Sequence, residues 1–224
     1  MSEKALDKLD KQEKVFFIQI GANDGELCDP IKNYIRKDNW HGVMFEPLKD
    51  IYESLLNNHK KKKIKNITYE NKAVSDTNGN KEMFRIPIDV IREKKYQNTI
   101  EGCSTFHKNR KGVDEPMKIF QDRFKDDVVS EEVECVTMKD YIKENDIKSI
   151  DLLQIDAEGH DYQILMDFPF EDVLPTVVRY ETAGGKGVFS KHQLNGIKDL
   201  LKSHNYSIKD MIHDTIAWQS SVLK

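Results

Sequence analysis

Residues 152–161 read LLQIDAEGHD, and they leave few folds open. Leu152, Leu153 and Ile155 make a short run with no apolar–polar alternation, the mark of a strand covered on both faces. The run breaks into Asp156, Glu158, His160 and Asp161, with Gly159 between them, and a helical pattern follows over 160–167. A strand buried on both sides belongs in a parallel sheet whose crossovers are helices. Its carboxyl end then opens where such sheets bind ligands.

The same order recurs along the chain. KVFFIQIGANDGE supplies a strand, 15–20, that stops at a glycine turn. Residues 27–37 predict a helix, with Leu27, Ile31, Tyr34 and Ile35 at helical spacing and Pro30 near its start. HGVMFEP is a second strand, and Pro47 opens a helix over 48–58. NITYENKAVSD reads as a third strand, followed by the turn DTNGN and the strand KEMFRIP. EVECVTMKDYIKEN gives a short strand and a helix with Thr137 as N-cap. PTVVRYE is another buried strand, and the end supplies a helix over 190–203 and the strands YSIKD and HDTIAWQ. Strands alternating with helices predict an α/β fold, a mostly parallel sheet with helices on both faces. The last two strands, joined by a short turn, predict an antiparallel C-terminal edge.

Bulk properties narrow the class. The chain has 224 residues, long enough for one core, with a formal net charge of -4 that gives no general pull toward nucleic acid. No apolar run approaches the roughly 20 residues that span a bilayer. Residues 1–14 are charged, lack the core of a secretory signal, and read as a helix or tail ahead of a single domain, 15–224. Cys28, Cys103 and Cys135 are odd in number and far apart, which suits free thiols in a reducing, cytoplasmic setting. Residues 88–130 are polar and weakly periodic, and read as an insertion on the substrate side.

Four strand ends are expected to meet in one site: Gly21 to Gly25, Glu46–Pro47, Ser75–Asp76 and Asp156 to His160. Gly21 and Gly25 allow a tight turn and close backbone approach. Asn23 and Asp24 stand where a dinucleotide loop needs further glycine, so the loop is either an Asx turn or the seat of a cationic ligand. Glu46 lies 25 residues after Gly21, where a strand-final acid accepts ribose hydroxyls. Alternatively it is a solvent-facing glutamate before a helix. Taken together, the two favour an adenosine ligand without phosphates, and S-adenosylmethionine fits both, with Ser75 and Asp156 completing its seat.

IGANDGE, VMFEP, NKAVSD and IDLLQIDAEGHDYQIL, in this order, resemble the FkbM-type S-adenosylmethionine-dependent methyltransferases over about residues 15–181. The resemblance implies a seven-stranded class I methyltransferase (Rossmann-like) sheet and O-methylation of hydroxyls on sugars, glycans or natural products. The chain departs from the family pattern at Gln154, where lysine is common, and at Asp161, where glutamate is common.

Asp156, Glu158 and His160 are the candidate catalytic residues. A carboxylate or imidazole there can accept the proton that an attacking hydroxyl loses. If the chain stays extended all three share one side; if Gly159 turns it, only Asp156 is secure in the site. His160 is alternatively a capping or packing residue. Ser104, Thr105 and His107 are candidate acceptor contacts, and the turn ETAGGKG is a candidate pocket wall. The lysines at 60–63 and 65 read as a solvated helix end. Asp156 and Glu158 can bind magnesium with waters, but no third ligand stands nearby, so no metal set is assigned and metal use stays open. The rival readings are a nicotinamide-dependent oxidoreductase, which lacks its third glycine here, and a non-catalytic nucleoside-binding module.

Overall fold

The computed structural model describes residues 2–96, 104–106, 124, 126–182 and 189–219. Its main sheet grows from β1 (Val15–Ile20), whose aromatic and β-branched residues fit a pleated surface covered on both sides. β1 pairs in parallel with β2 (Trp40–Phe45) on one side. On its other side it pairs with β8 (Leu152–Ile155), so the chain reverses its direction of growth there. β3 (Ile67–Glu70) extends the first side. β9 (Val177–Glu181) follows β8 in parallel, and β11 (Asp214–Gln219) and β10 (Tyr206–Asp210) close the other edge antiparallel. The seven-stranded order is β10-β11-β9-β8-β1-β2-β3.

Side-chain alternation divides the core in two. On one face Val15, Phe17, Trp40, Met44 and Leu152 pack with Ala5, Leu6 and Leu9 of α1 (Ser2–Leu9) and with Leu55 of α2 (Lys49–Lys61). On the other, Ile18, Ile20, Phe45, Leu153 and Ile155 meet three helices. These are α4 (Met138–Glu144), α5 (Asp161–Asp167) and α6 (Lys191–Ser203). Thr137 caps α4 by accepting from the Asp140 N–H, as its sequence position predicts. Ser190 and Gln193 form a reciprocal capping box at α6.

Two elements differ from the sequence expectation. Residues 27–37 form turns, not a helix. Cys28 takes a left-handed φ of 56°, Pro30 has no N–H, and the Asp24 and Asp29 carboxylates accept the N–H groups of Glu26, Leu27 and Ile31. Ile31 and Ile35 are still buried, so the apolar spacing is real and successive turns satisfy it. NITYENKAVSD is also two strands rather than one. After β3 the Asn71 amide donates to the Glu46 and Pro47 carbonyls, and β4 (Ala73–Val74) leaves for a second sheet.

That sheet runs β4-β7-β5-β6, with β5 (Gly79–Arg85), β6 (Ser104–Thr105) and β7 (Val129–Val136). The 88–130 segment therefore begins with α3 (Ile88–Glu93), contributes β6, and ends in β7. In β7, Val133 and Cys135 face inward while Glu132 and Glu134 face out. Residues 97–103, 107–123 and 183–188, including His107 and the glycines of the ETAGGKG turn, lie outside the described residues. Among the described residues no helix is long and apolar enough to cross a membrane.

Candidate functional site

A cavity of about 390 Å³ opens at the carboxyl ends of β1, β2, β8 and β9, where the order reverses. Gly21, Ala22 and Asn23 line it from β1, Glu46 and Pro47 from β2, and Asp156, Ala157 and Glu158 from β8. Val74 and Met83 of the smaller sheet, with Ser104, Thr105 and Phe106, form its other wall.

Gly21 takes a φ of 76°, and a Cβ there would lie 1.8 Å from the Asp156 carbonyl oxygen. The glycine is what lets β1 turn against the end of β8. A Gly21→Ala substitution is expected to cost about 3 kcal/mol or more, since strain and overlap add. Urea unfolding measures it, and an unchanged midpoint contradicts the packing argument.

Asn23 adopts a φ of 48°, tolerable for asparagine, and its N–H donates to Glu46 Oε2 at 2.9 Å. The Leu48 N–H donates to Glu46 Oε1 at 3.0 Å. Glu46 is only 5% exposed. Burial pushes its pKa up to about 7 despite these two donors.

Three expected cofactor residues sit beside the cavity rather than in its lining. Asp24 Oδ1 accepts from the Glu26 and Leu27 N–H groups, and Asn58 of α2 donates to its carbonyl. A Cβ at Gly25 would meet His59 Nε2 at 2.4 Å, so this glycine packs the loop against α2. Ser75 is buried, bonded to Lys81 Nζ at 2.7 Å and to His160 Nε2 at 2.9 Å.

The turn of the opening motif decides the fate of its acids. Glu158 and Gly159 both have left-handed φ, 46° and 90°, so the chain bends away after Asp156. Asp156 and Glu158 stay in the lining. His160 turns out of it, hydrogen-bonded to Ser75 and packed edge-on against Phe106 with ring centroids 4.9 Å apart. Asp161, fully buried, accepts from the Ala157 and Glu181 N–H groups and so ties the ends of β8 and β9 together. Burial, then the nearby Asp156, pushes the Asp161 pKa up to about 7.

Sequence reasoning missed a polar tier beneath Asp156. Gln19, Gln154 and Arg179 are register neighbours on β1, β8 and β9. Glu181 and Asp214, paired across β9 and β11, stand one step above, with Asp29 and His213 also in the lining. Arg179 is ion-paired with Asp214 and reaches Gln154 at 3.5 Å. The available signal was period two: Arg179 and Glu181 interrupt a buried strand on one face. Burial raises the Asp29 pKa to about 6. Burial also lifts Asp156 and, further, Glu181, whose Glu158, Asp156, Asp161 and Asp214 neighbours add to the effect.

These shifts set a pH dependence. Between the ordinary carboxylate range and about pH 7, the folded state holds protons on Asp29, Glu46 and Asp161 that the unfolded chain has released. Their contribution to stability is complete below about pH 4 and is lost as pH rises through about 6–7. Asp76, held at about 2 by Lys81, and Asp50, held down by Arg85, act oppositely but only in stronger acid. The ligand-free Tm is expected to be lower at pH 8 than at pH 5 by at least roughly 5 °C, at roughly 2–4 °C per kcal/mol lost. Calorimetric scans check it; a higher Tm at pH 8 contradicts it.

Against this geometry, the sequence model of the methyltransferase FkbM domain matches residues 19–208. The chain belongs to the FkbM methyltransferase family. The family uses S-adenosylmethionine, and the sheet is that of class I methyltransferases. Among solved structures, a methyltransferase FkbM from Methylobacillus flagellatus KT is 12% identical with a TM-score of 0.53. That match covers 92% of this chain but 44% of the other, so the FkbM-family chain spans less than half of that relative. A precorrin-6y C5,15-methyltransferase from Geobacter metallireducens GS-15 is also 12% identical, covering 97% and 87% with a TM-score of 0.47. An RNA methyltransferase from Salinibacter ruber, in complex with S-adenosyl-L-homocysteine, is 12% identical, covering 97% and 88% at 0.43. No curated protein sequence matches the chain. Among the described residues no group of three or more His, Cys, Asp or Glu is placed to hold a metal ion.

Proposed function

We propose that this FkbM-family chain is an O-methyltransferase acting on a hydroxyl of a sugar, glycan or small natural product. The observation that carries the reading is the cavity's acceptor-rich wall. Glu46, Asp156, Glu158 and Asp29 all line it, and among the described residues Gln19 Oε1 and Asp29 Oδ2 there are buried without a hydrogen-bond partner. S-adenosylmethionine suits that wall, because its ribose hydroxyls and ammonium are donors and its sulfonium is a cation. A pyrophosphate does not suit it, which counts against a nicotinamide cofactor. When bound, S-adenosylmethionine supplies an electrophilic methyl group.

The chain's residues do the rest. Glu46 holds the ribose, the Gly21–Asn23 turn receives the methionine end, and Asp156 accepts the proton of the reacting hydroxyl. Ser104 and Thr105 form the acceptor side of the wall. The acceptor is a small molecule or glycan rather than a nucleic acid, and Cys28 and Cys135, free thiols among the described residues, suit a cytoplasmic enzyme.

Titration calorimetry with S-adenosylhomocysteine and with a nicotinamide dinucleotide separates the cofactor classes, with binding expected only for the first. Release of S-adenosylhomocysteine in the presence of glycosides and hydroxylated lactones tests the acceptor class. Methylation of amines or carboxylates, with hydroxyl compounds left untouched, refutes the O-methyl assignment.

A further inference from the structure

β8 and β9 are parallel neighbours with Ile155 beside Tyr180, so Asp156 and Glu181 are the next residues on strands about 4.8 Å apart. Ile155 and Tyr180 both face the α4–α6 side, which turns the two acids to the opposite face, and both line the cavity. Asp161 fixes the pair by accepting from the N–H of Glu181 and from that of Ala157 beside Asp156. The groups around them are Glu158, Asp161, Arg179, His213 and Asp214. Arg179 supplies the cation, and it is paired with Asp214. Among the described residues, none hydrogen-bonds the buried Glu181 Oε2.

Two carboxyl groups so placed resist ionising together, and Arg179, the cation near them among the described residues, is already engaged by Asp214. Burial and Asp214 raise Asp156 and Arg179 only partly counters them, whereas burial and four acids with no such counterweight raise Glu181 further. We propose that Glu181 is an acceptor-holding acid: Asp156 and Glu181 form a carboxylate–carboxylic acid pair that binds a vicinal diol. One acceptor hydroxyl faces Asp156, and the oxygen on the adjacent carbon takes a hydrogen bond from Glu181. The reacting O–H bond breaks, its proton goes to Asp156, and its electron pair forms the new O–CH₃ bond. The C–S bond breaks with its pair left on sulfur. Glu181 keeps its proton throughout.

This deepens, and rests on, the O-methyltransferase reading, so the test has a part independent of turnover. Infrared difference spectra are taken on the full chain with S-adenosylhomocysteine at pH 7, wild type against Glu181→Gln. Loss of a protonated-carboxyl C=O band in the variant is expected; an ionised carboxylate band lost instead overturns the pair. Saturation-transfer NMR then uses 1,2-cyclohexanediol and cyclohexanol as probes. The diol is expected to respond in the wild type and to lose that response in Glu181→Ala, and equal responses from both probes overturn the diol site. With a methylated acceptor, Glu181→Ala is expected to lose roughly 100-fold in kcat/KM, and Glu181→Gln, which keeps a donor, about 3- to 10-fold. Equal collapse of both variants makes Glu181 a base and overturns the assignment. If the wild type binds S-adenosylmethionine but methylates no hydroxyl, the acceptor half falls with the parent reading, while the infrared result still decides the protonation of the pair.

Discussion

An Asp156→Asn enzyme is expected to turn over roughly 10²–10⁴ times more slowly than the wild type, with cofactor affinity changed only a few-fold. The substitution keeps the side chain's shape and removes the group that accepts a proton. The strand end itself survives, because it is held by backbone: the Asp156 N–H donates to the Ile20 carbonyl at 3.0 Å, and Asp161 secures Ala157. His160→Ala is the informative partner variant. Its imidazole is bonded to Ser75 and covered by Phe106, outside the cavity lining, so its loss is expected to lower Tm while leaving the pH–rate profile in place. Turnover is read as S-adenosylhomocysteine release, and affinity by calorimetry. Wild-type turnover in Asp156→Asn removes the carboxylate from the chemistry. A loss of cofactor binding instead assigns Asp156 to the methionine end.

What was legible in the sequence was local. Glu46 and Asp156 each end an apolar strand, and strand-final acids in an α/β order converge on the switch point whatever the loops do. The antiparallel edge was legible from the short connection between β10 and β11. The turns at 27–37 were not, because Ile31 and Ile35 need only recur on one side to be buried, and linked turns achieve this as a helix does. The break between β3 and β4 depends on Asn71 meeting the Glu46 and Pro47 carbonyls, a contact 24–25 residues distant in sequence. His160 left the site because Glu158 and Gly159 both turn left-handed; the glycine signalled a turn but not its direction. Arg179 and Glu181 left only a period-two interruption of a buried strand, which marks a face but not the residues it will meet, and Asp214 left no such mark. Their role is set by which strands lie side by side, and that ordering exists only after the sheet has assembled.

Glu46→Ala is expected to weaken S-adenosylmethionine binding by about 1.5–3 kcal/mol, roughly 10- to 150-fold, through loss of charge-assisted hydrogen bonds. Each carboxylate oxygen already accepts one backbone N–H, from Asn23 or Leu48, and each keeps a second lone pair for a ribose hydroxyl. The two roles are coupled. With the carboxyl absent, the Asn23 N–H loses its acceptor, so the alanine variant also loosens the loop after β1; Glu46→Gln, which retains one oxygen, is expected to fall between. Protonation gives an independent check. Because burial lifts the Glu46 pKa to about 7, a ligand that donates two hydroxyls must favour the ionised form and pull this value down. Cofactor binding near pH 7 therefore releases protons, and affinity rises as pH passes upward through about 7. Calorimetry in buffers of different ionisation enthalpy measures that release. It should shrink in Glu46→Ala, leaving the part due to Asp29 and Asp156. Unchanged affinity and unchanged proton release in the variant together would move the ribose away from β2, and with it the orientation of the whole cofactor in the cavity.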